Sequence, residues 1–393
     1  MIKAILIIIC ISCCISTNIS FATEIKHVRV IWQEDPLKKT YIAWHTKKET
    51  KPNENWLHYG HKSQKGNIKE YPIKIKAMSK IRLPFTSERF YYTELENLPP
   101  NTKLYFTITV GKSATKEMYF KLPPKQNDIA FKLLFGGDSR SNIPMRQKMN
   151  TAIKQLIEKD QEVLALVHGG DYIYNGSKWN QWLQWLDDNE LIIADDGKIL
   201  PVIPTRGNHE VSDRLFNRVW LTPGGTSRSN YFSSKLANLK IITLNTQTSC
   251  AGKQKRWLKK ELQQMTKYVL ANYHAPAWPA VKKPSCAKKH WVPLFEQARI
   301  NGVFESDGHT LKRTVPIYQN KRNDQKGIIY MGEGGLGVEQ RKPKHANEWY
   351  FQSPGYAKSK HHFFVLRKSS ELEVEVLNKE LKQLDKFTLP NYR

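Results

Sequence analysis

Carboxylates are scarce in this chain. Asp and Glu number 36 against 62 Lys and Arg, for a formal charge of +26. The cations are spread along the sequence, which argues against a basic tail and for a solvated basic surface; a sharper reading is attraction to anionic partners such as phosphorylated substrates or an envelope surface. No motif of the known nucleic-acid-binding domains accompanies the charge, so no specific nucleic-acid binding is expected. Cysteine is scarce as well. Of five, Cys10, Cys13 and Cys14 fall in the first 14 residues, leaving Cys250 and Cys286. In an exported chain these form either one disulfide or two separate buried thiols. Long apolar runs are lacking: the stretch from Ala4 to about Ile15 is too short to span a bilayer. There is no internal repeat and no low-complexity segment, which excludes a solenoid or array.

What is present begins with "MIKAILIIICISCCISTNISFA". Lys3, a short apolar core and Ser20-Phe21-Ala22 have the layout of a secretory signal peptide cleaved near Ala22. A lipoprotein leader using Cys13 or Cys14 is the alternative, although leucine is not at the usual upstream position. The expectation is a secreted or periplasmic protein comprising residues 23–393.

Residues 23–125 read as one domain and 126–393 as another. In the first, "HVRVIWQ", "KTYIAWHT", "NWLHYGH", "RFYYTELEN", "KLYFTITVG" and "EMYFKLP" alternate apolar and polar residues, with β-branched and aromatic bias. Short strands at close spacing predict a β-sandwich. Pro123-Pro124 and "KQND" mark a linker. From Phe131 short apolar runs such as "FKLLFGG", "VLALVHGG" and "YVLANYH" alternate with helical stretches such as "MRQKMNTAIKQLIEKD", predicting an α/β domain. Trp179, Trp182 and Trp185 share one helical face, read as core.

The residues able to hold metal follow those apolar runs. Asp138 follows "LLFGG", Asp171 follows "LVHGG", Asn208-His209-Glu210 follow "VIPTRG", His274 ends "VLANYH", and Asp307 and His309 follow "VFES". Loops at the carboxyl ends of strands converge in open α/β sheets. Carboxylates, an amide oxygen and imidazoles together suit divalent and trivalent cations. Each box is weak alone; their order and placement carry the signal.

With "GDSR", "GDYIY", "GNHE", "NYHAP" and "SDGH" in that order, the chain resembles a purple-acid-phosphatase-type metallophosphoesterase of the calcineurin-like superfamily. The resemblance implies a fibronectin type III-like β-sandwich followed by an α/β metallophosphatase domain of layered mixed sheets flanked by helices. In that family the last box reads Gly-His-x-His. Taken directly, "GHTL" puts Leu311 at a ligand position; one frame earlier, "FESDGHTLKRT" keeps the second histidine as His309 and exchanges the first for Asp307. The second frame is preferred because carboxylate is itself a good ligand.

The resemblance implies two metal ions. One is held by Asp138, Asp171, Tyr174 and His309, the other by Asp171 as a bridge with Asn208, His274 and Asp307. Tyr174 resembles the phenolate that colours ferric iron in the family, implying Fe there and Fe, Mn or Zn at the second site. The implied activity is hydrolysis of phosphate monoesters on a small phosphorylated substrate, by attack of a metal-activated hydroxide. His209 resembles the histidine that contacts phosphate and protonates the leaving group, with Glu210 as its orienter or a simple helix-start carboxylate. Arg140 replaces a common glycine and either grips phosphate or pairs with a surface acid. Asp307 leaves the metal pair with one positive charge less than histidine would. A phosphodiesterase of the same fold, and an envelope binding protein with a degenerate site, are the competing readings.

Overall fold

The computed structural model describes residues 23–82, 86–210, 213–221, 230–264 and 266–392. The leader, residues 1–22, and residues 222–229 lie outside the described residues.

The backbone is organised by two large sheets laid face to face. The first has ten strands in the order Gln383–Leu389, Leu372–Leu377, Phe363–Lys368, Phe131–Gly136, Val163–His168, Val202–Pro204, Ile25–Ile31, Lys39–Thr46, Arg89–Glu96 and Ser79–Arg82. The second has seven: Phe232–Leu236, Leu239–Thr243, Tyr268–Asn272, Gly302–Glu305, Ile329–Gly332, Leu311–Arg313 and Tyr356–Lys358. Val163–His168 is buried along its whole length. That is why it reads as a continuous apolar run: a parallel strand covered on both faces has no polar side.

The sheets meet through Leu133, Phe135, Val167 and Ile203 on one side and Ile241, Leu270 and Phe304 on the other. Phe135 and Phe304 stack with centroids 3.7 Å apart. Helix Ile143–Lys159 covers the outer face of the first sheet through Met149, Ile153 and Ile157 against Leu134 and Leu166. Helices Gly252–Glu261 and Val292–Ala298 cover the second through Leu258 and Phe295. This is a layered mixed-sheet α/β architecture. Trp182 and Trp185, on helix Trp179–Glu190, are core, packed with Tyr172 and Trp220.

The amino-terminal strands also form a two-sheet layer. Asn55–Gly60, Lys103–Val110 and their neighbours pack Leu57, Phe106 and Ile108 in one cluster with Trp32, Trp44 and Tyr91 of the facing sheet. That facing sheet does not stop at residue 125. Ile25–Ile31 pairs parallel with Val202–Pro204, Ile31 opposite Val202, and Val202–Pro204 pairs with Val163–His168 on its other edge. One sheet therefore runs through both of the segments that the sequence separates at 125/126.

Cys250 and Cys286 are joined in a disulfide across a separation of 36 residues. The bridge anchors the far end of the 274–286 loop. Replacing both by serine is expected to cost about 3–4 kcal/mol through loop-closure entropy, read from urea denaturation. A loss below about 1 kcal/mol would show that packing alone fixes the loop.

Candidate metal centre

The carboxyl ends of five strands meet at one edge of the two sheets. Phe131–Gly136 delivers Asp138, Val163–His168 delivers Asp171 and Val202–Pro204 delivers Asn208, all from the first sheet. Tyr268–Asn272 delivers His274, and Gly302–Glu305 delivers Asp307 and His309, from the second. The ligand turns are tight. Asp138, Asp171, Asp307 and His309 all have left-handed φ, between 57° and 72°. Such backbone is unfavourable for residues with a Cβ and clusters where function requires it. Two glycines make room: a Cβ on Gly207 would stand 2.2 Å from Asp171 Oδ1, and one on Gly334 2.1 Å from Asp138 Oδ2.

Two groups of buried donors result, and they share a residue: Asp138, Asp171 and His309, and Asp171, His274 and Asp307. His309 Nε2 lies 3.3 Å from Asp138 Oδ1. Around His274 Nε2 stand Asn208 Oδ1 at 3.0 Å, Asp171 Oδ1 at 3.2 Å and Asp307 Oδ1 at 3.5 Å. His274 Nδ1 donates to the Gly169 carbonyl at 2.8 Å, which directs Nε2 into the centre, as in metal-binding histidines. Asp138 Oδ1 and Asp171 Oδ2 are buried with no hydrogen-bond partner among the described residues. An orphaned buried carboxylate oxygen is costly, and a cation removes that cost. The donor set fits two metal ions.

The electrostatics agree. Burial opposes ionisation of Asp171 and Asp307, yet both are held below the ordinary carboxylate range. His274 does this for both, joined by His209 at Asp171 and by Lys282 at Asp307. Burial also opposes charge on His274, but Asp171 and Asp138 raise it well above its usual value. A proton on His274 and the Lys282 ammonium thus supply positive charge that metal ions would bring. Metal binding displaces such a proton.

Leu311, the ligand position of the direct "GHTL" frame, is instead in the hydrophobic core. Tyr174 is not drawn into the buried groups. It is 61% exposed, its ring lies 5.2 Å from that of His209, and the Arg140 guanidinium sits over it at 5.4 Å. Glu210 departs from the role of orienting His209. Its carboxylate is buried and accepts from Asp171 N at 2.9 Å, Tyr172 N at 2.9 Å and Gly207 N at 2.7 Å, so it fixes the ligand turns. Burial, reinforced by the charge of Asp171, pushes Glu210 up to about 7. His209 is oriented from elsewhere: its Nδ1 donates to the Tyr174 carbonyl at 2.6 Å, and Nε2 is 3.9 Å from Asp171 Oδ2. Among the described residues, Arg140 pairs with no surface acid. Its Nε is 3.5 Å from Asp171 Oδ2, and that nitrogen has no hydrogen-bond partner.

Three participants were not legible in the motifs. Lys282 binds the Asp307 carboxylate; it lies in "PAWPAVKKPSCAKKH", a stretch with no metal-ligand motif. Arg341 donates from Nη1 to the Asp307 carbonyl at 3.3 Å and from its backbone to the His309 carbonyl at 2.9 Å. Behind the ligand turn, Lys312 is fully buried against Glu305 and Glu333. Glu333 accepts from Ala280 N and Thr310 Oγ1, Glu305 from Ala277 N and Tyr273 Oη. Burial pushes Glu333 up to about 7, with Lys312 acting against it. The triad fastens the 273–280 loop to the 305–312 turn.

Residues 144–312 match the family described as calcineurin-like phosphoesterase. The chain is 24% identical to a purple acid phosphatase of Glycine max over 340 residues, covering 76% of this chain and 70% of that protein. It is 22% identical to the Fe(3+)-Zn(2+) purple acid phosphatase 12 of Arabidopsis thaliana over 294 residues, covering 64% and 60%. Its fold is similar to that of purple acid phosphatase PPD1 from yellow lupin (Lupinus luteus) seeds, with a TM-score of 0.80, 15% identity, and coverage of 94% and 75%. A metal-dependent phosphoric ester hydrolase is the class these findings and the ligand geometry define. Within it, the chain is similar to the purple acid phosphatases in sequence and in fold.

Proposed function

We propose that the protein is an exported binuclear phosphatase that hydrolyses phosphate monoesters. The observation that carries this is the shared Asp171: one buried carboxylate belongs to both donor groups, and an oxygen on each of Asp138 and Asp171 has no hydrogen-bond partner among the described residues. Asp138, Asp171 and His309 would hold iron; Asp171, Asn208, His274 and Asp307 would hold iron, manganese or zinc. Bound metals supply Lewis acidity, gripping phosphate oxygens and acidifying water.

The remaining work falls to side chains. Arg140, whose Nε lies 3.5 Å from Asp171 Oδ2 without a hydrogen bond among the described residues, grips a phosphate oxygen. His209, with Nδ1 committed to a carbonyl, presents Nε2 to protonate the leaving alkoxide. The amino-terminal strands form the fibronectin type III-like domain of the reading above.

The test is metal content per chain of residues 23–393, with turnover of an aryl phosphate and of its bis-aryl diester. Two metals and a strong preference for the monoester are expected. One metal or none after reconstitution, with no turnover, would falsify the reading. Colour tests Tyr174 separately. A purple protein would place its phenolate on the metal; a colourless two-metal enzyme would remove Tyr174 from the ligand set.

The pairing of Lys282 with Asp307 bears on product binding, because the extra carboxylate carries its own counter-ion. Asp307→His should tighten inhibition by inorganic phosphate about tenfold, since it leaves Lys282 unneutralised near the metals. Adding Lys282→Met should reverse the gain. Equal inhibition in all three proteins would mean that the pair does not set the charge felt by phosphate.

A further inference from the structure

Beside Asp307 opens a groove of about 780 Å³, lined by Val281, Lys282, Lys283, Arg341, Lys342, Lys344 and His345. That is within the usual size of small-molecule sites. Five of the seven lining residues are permanent cations, and none is a carboxylate. The walls are built, not incidental. Lys344 N and His345 N both donate to the Ala280 carbonyl, at 2.8 and 2.9 Å, and Arg341 N donates to the His309 carbonyl at 2.9 Å. The groove adjoins the metal centre through two of its lining residues, since Lys282 and Arg341 contact Asp307. Lys283, Lys342 and Lys344 form no ion pair among the described residues. Cations gathered this closely repel one another, and a concave wall of one sign focuses the field on an anion.

We propose that the preferred substrates carry two or more phosphate groups: the terminal one is cleaved at the metals while the others lie in the groove. This rests on the phosphatase reading and adds a substrate class to it. With inorganic tripolyphosphate as probe, water adds to the terminal phosphorus and the bridging P–O bond breaks. Pyrophosphate departs with the electron pair, and a proton from the water ends on the products.

The experiment compares kcat/KM for tripolyphosphate with kcat/KM for an aryl monophosphate. It uses the metal-loaded wild type, the triple variant Lys283→Gln, Lys342→Gln and Lys344→Gln, and a control of equal charge loss, Lys253→Gln, Lys259→Gln and Lys260→Gln, on helix Gly252–Glu261. Removing three exposed cations from the groove should lower the ratio about tenfold; the control should leave it unchanged. The preference for tripolyphosphate should weaken with added salt. Calorimetry on metal-stripped wild type should detect tripolyphosphate binding that the groove variant loses.

The same ratio in both triple variants would overturn the proposal. So would a wild type that turns over the aryl ester, shows no preference for tripolyphosphate and does not bind it when stripped; the phosphatase reading would survive that result. Binding of tripolyphosphate without turnover of either probe would instead overturn the phosphatase reading, leaving the groove's affinity for polyanions in place.

Discussion

Asp171→Asn should empty both metal sites at once. The substitution keeps the shape of the side chain and removes one anionic oxygen from a residue that serves two clusters. The amide nitrogen would then point N–H donors at a site built to accept a cation. Oδ1 sits 3.2 Å from His274 Nε2, and Oδ2 is the buried oxygen without a hydrogen-bond partner, so neither orientation of the amide spares both sites. The turn itself should persist, because Glu210 holds the backbone of residues 171, 172 and 207. Metal content should fall to near zero, and kcat by at least about 10³-fold, with charge stabilisation and the activated water both lost. Asp138→Asn, which belongs to one cluster only, should keep about one ion. Equal metal loss in the two variants would mean that Asp171 is not the shared ligand.

Lys312→Met is expected to be the most destabilising single change. It leaves Glu305 and Glu333 buried together without their cation, and breaking a buried ion pair by removing one partner costs about 3–5 kcal/mol. The cost should extend to the metals. The Glu333 carbonyl holds His309 N at 2.7 Å, and its carboxylate holds Thr310 and Ala280. Loss of such supporting bonds weakens metal affinity by about 10–100-fold. Denaturant titration and a competitive metal-chelator titration measure the two effects. Adding Glu333→Gln, which removes one of the stranded charges, should recover part of the stability. A loss below about 1 kcal/mol in the single variant would mean that the triad is not held as a charged cluster.

Much of the centre was legible because its ligands lie in short contiguous motifs at strand ends. Asp138, Asp171, Asn208, His274, Asp307 and His309 are brought together as their positions implied. The supporting residues were not legible, for a physical reason. Lys312, in "HTLKRT", sits where any alternating strand would place a solvated charge, and only tertiary packing buries it. Lys282 and Arg341 come from loops that carry no periodic pattern and meet Asp307 only in the fold. Glu210 lies next to His209 in sequence, which suggested a partnership; its carboxylate turns to the backbone of Asp171 instead. Strands were legible from alternation and apolar runs, but their pairing was not. Nothing in "HVRVIWQ" announces a partner some 170 residues away.

That distant pairing limits how the chain can be divided. Val202–Pro204 spans three residues and is flanked by Val163–His168 on one side and Ile25–Ile31 on the other. A fragment beginning at residue 126 would expose the far side of Val202–Pro204 as a bare edge, and the preceding fragment would expose Ile25–Ile31. Unpaired edges of that kind recruit other chains and aggregate. The two halves are therefore not interchangeable modules: the amino-terminal half acts as a built-in edge guard for the catalytic half, and grafting a different leading domain would have to replace that guard as well.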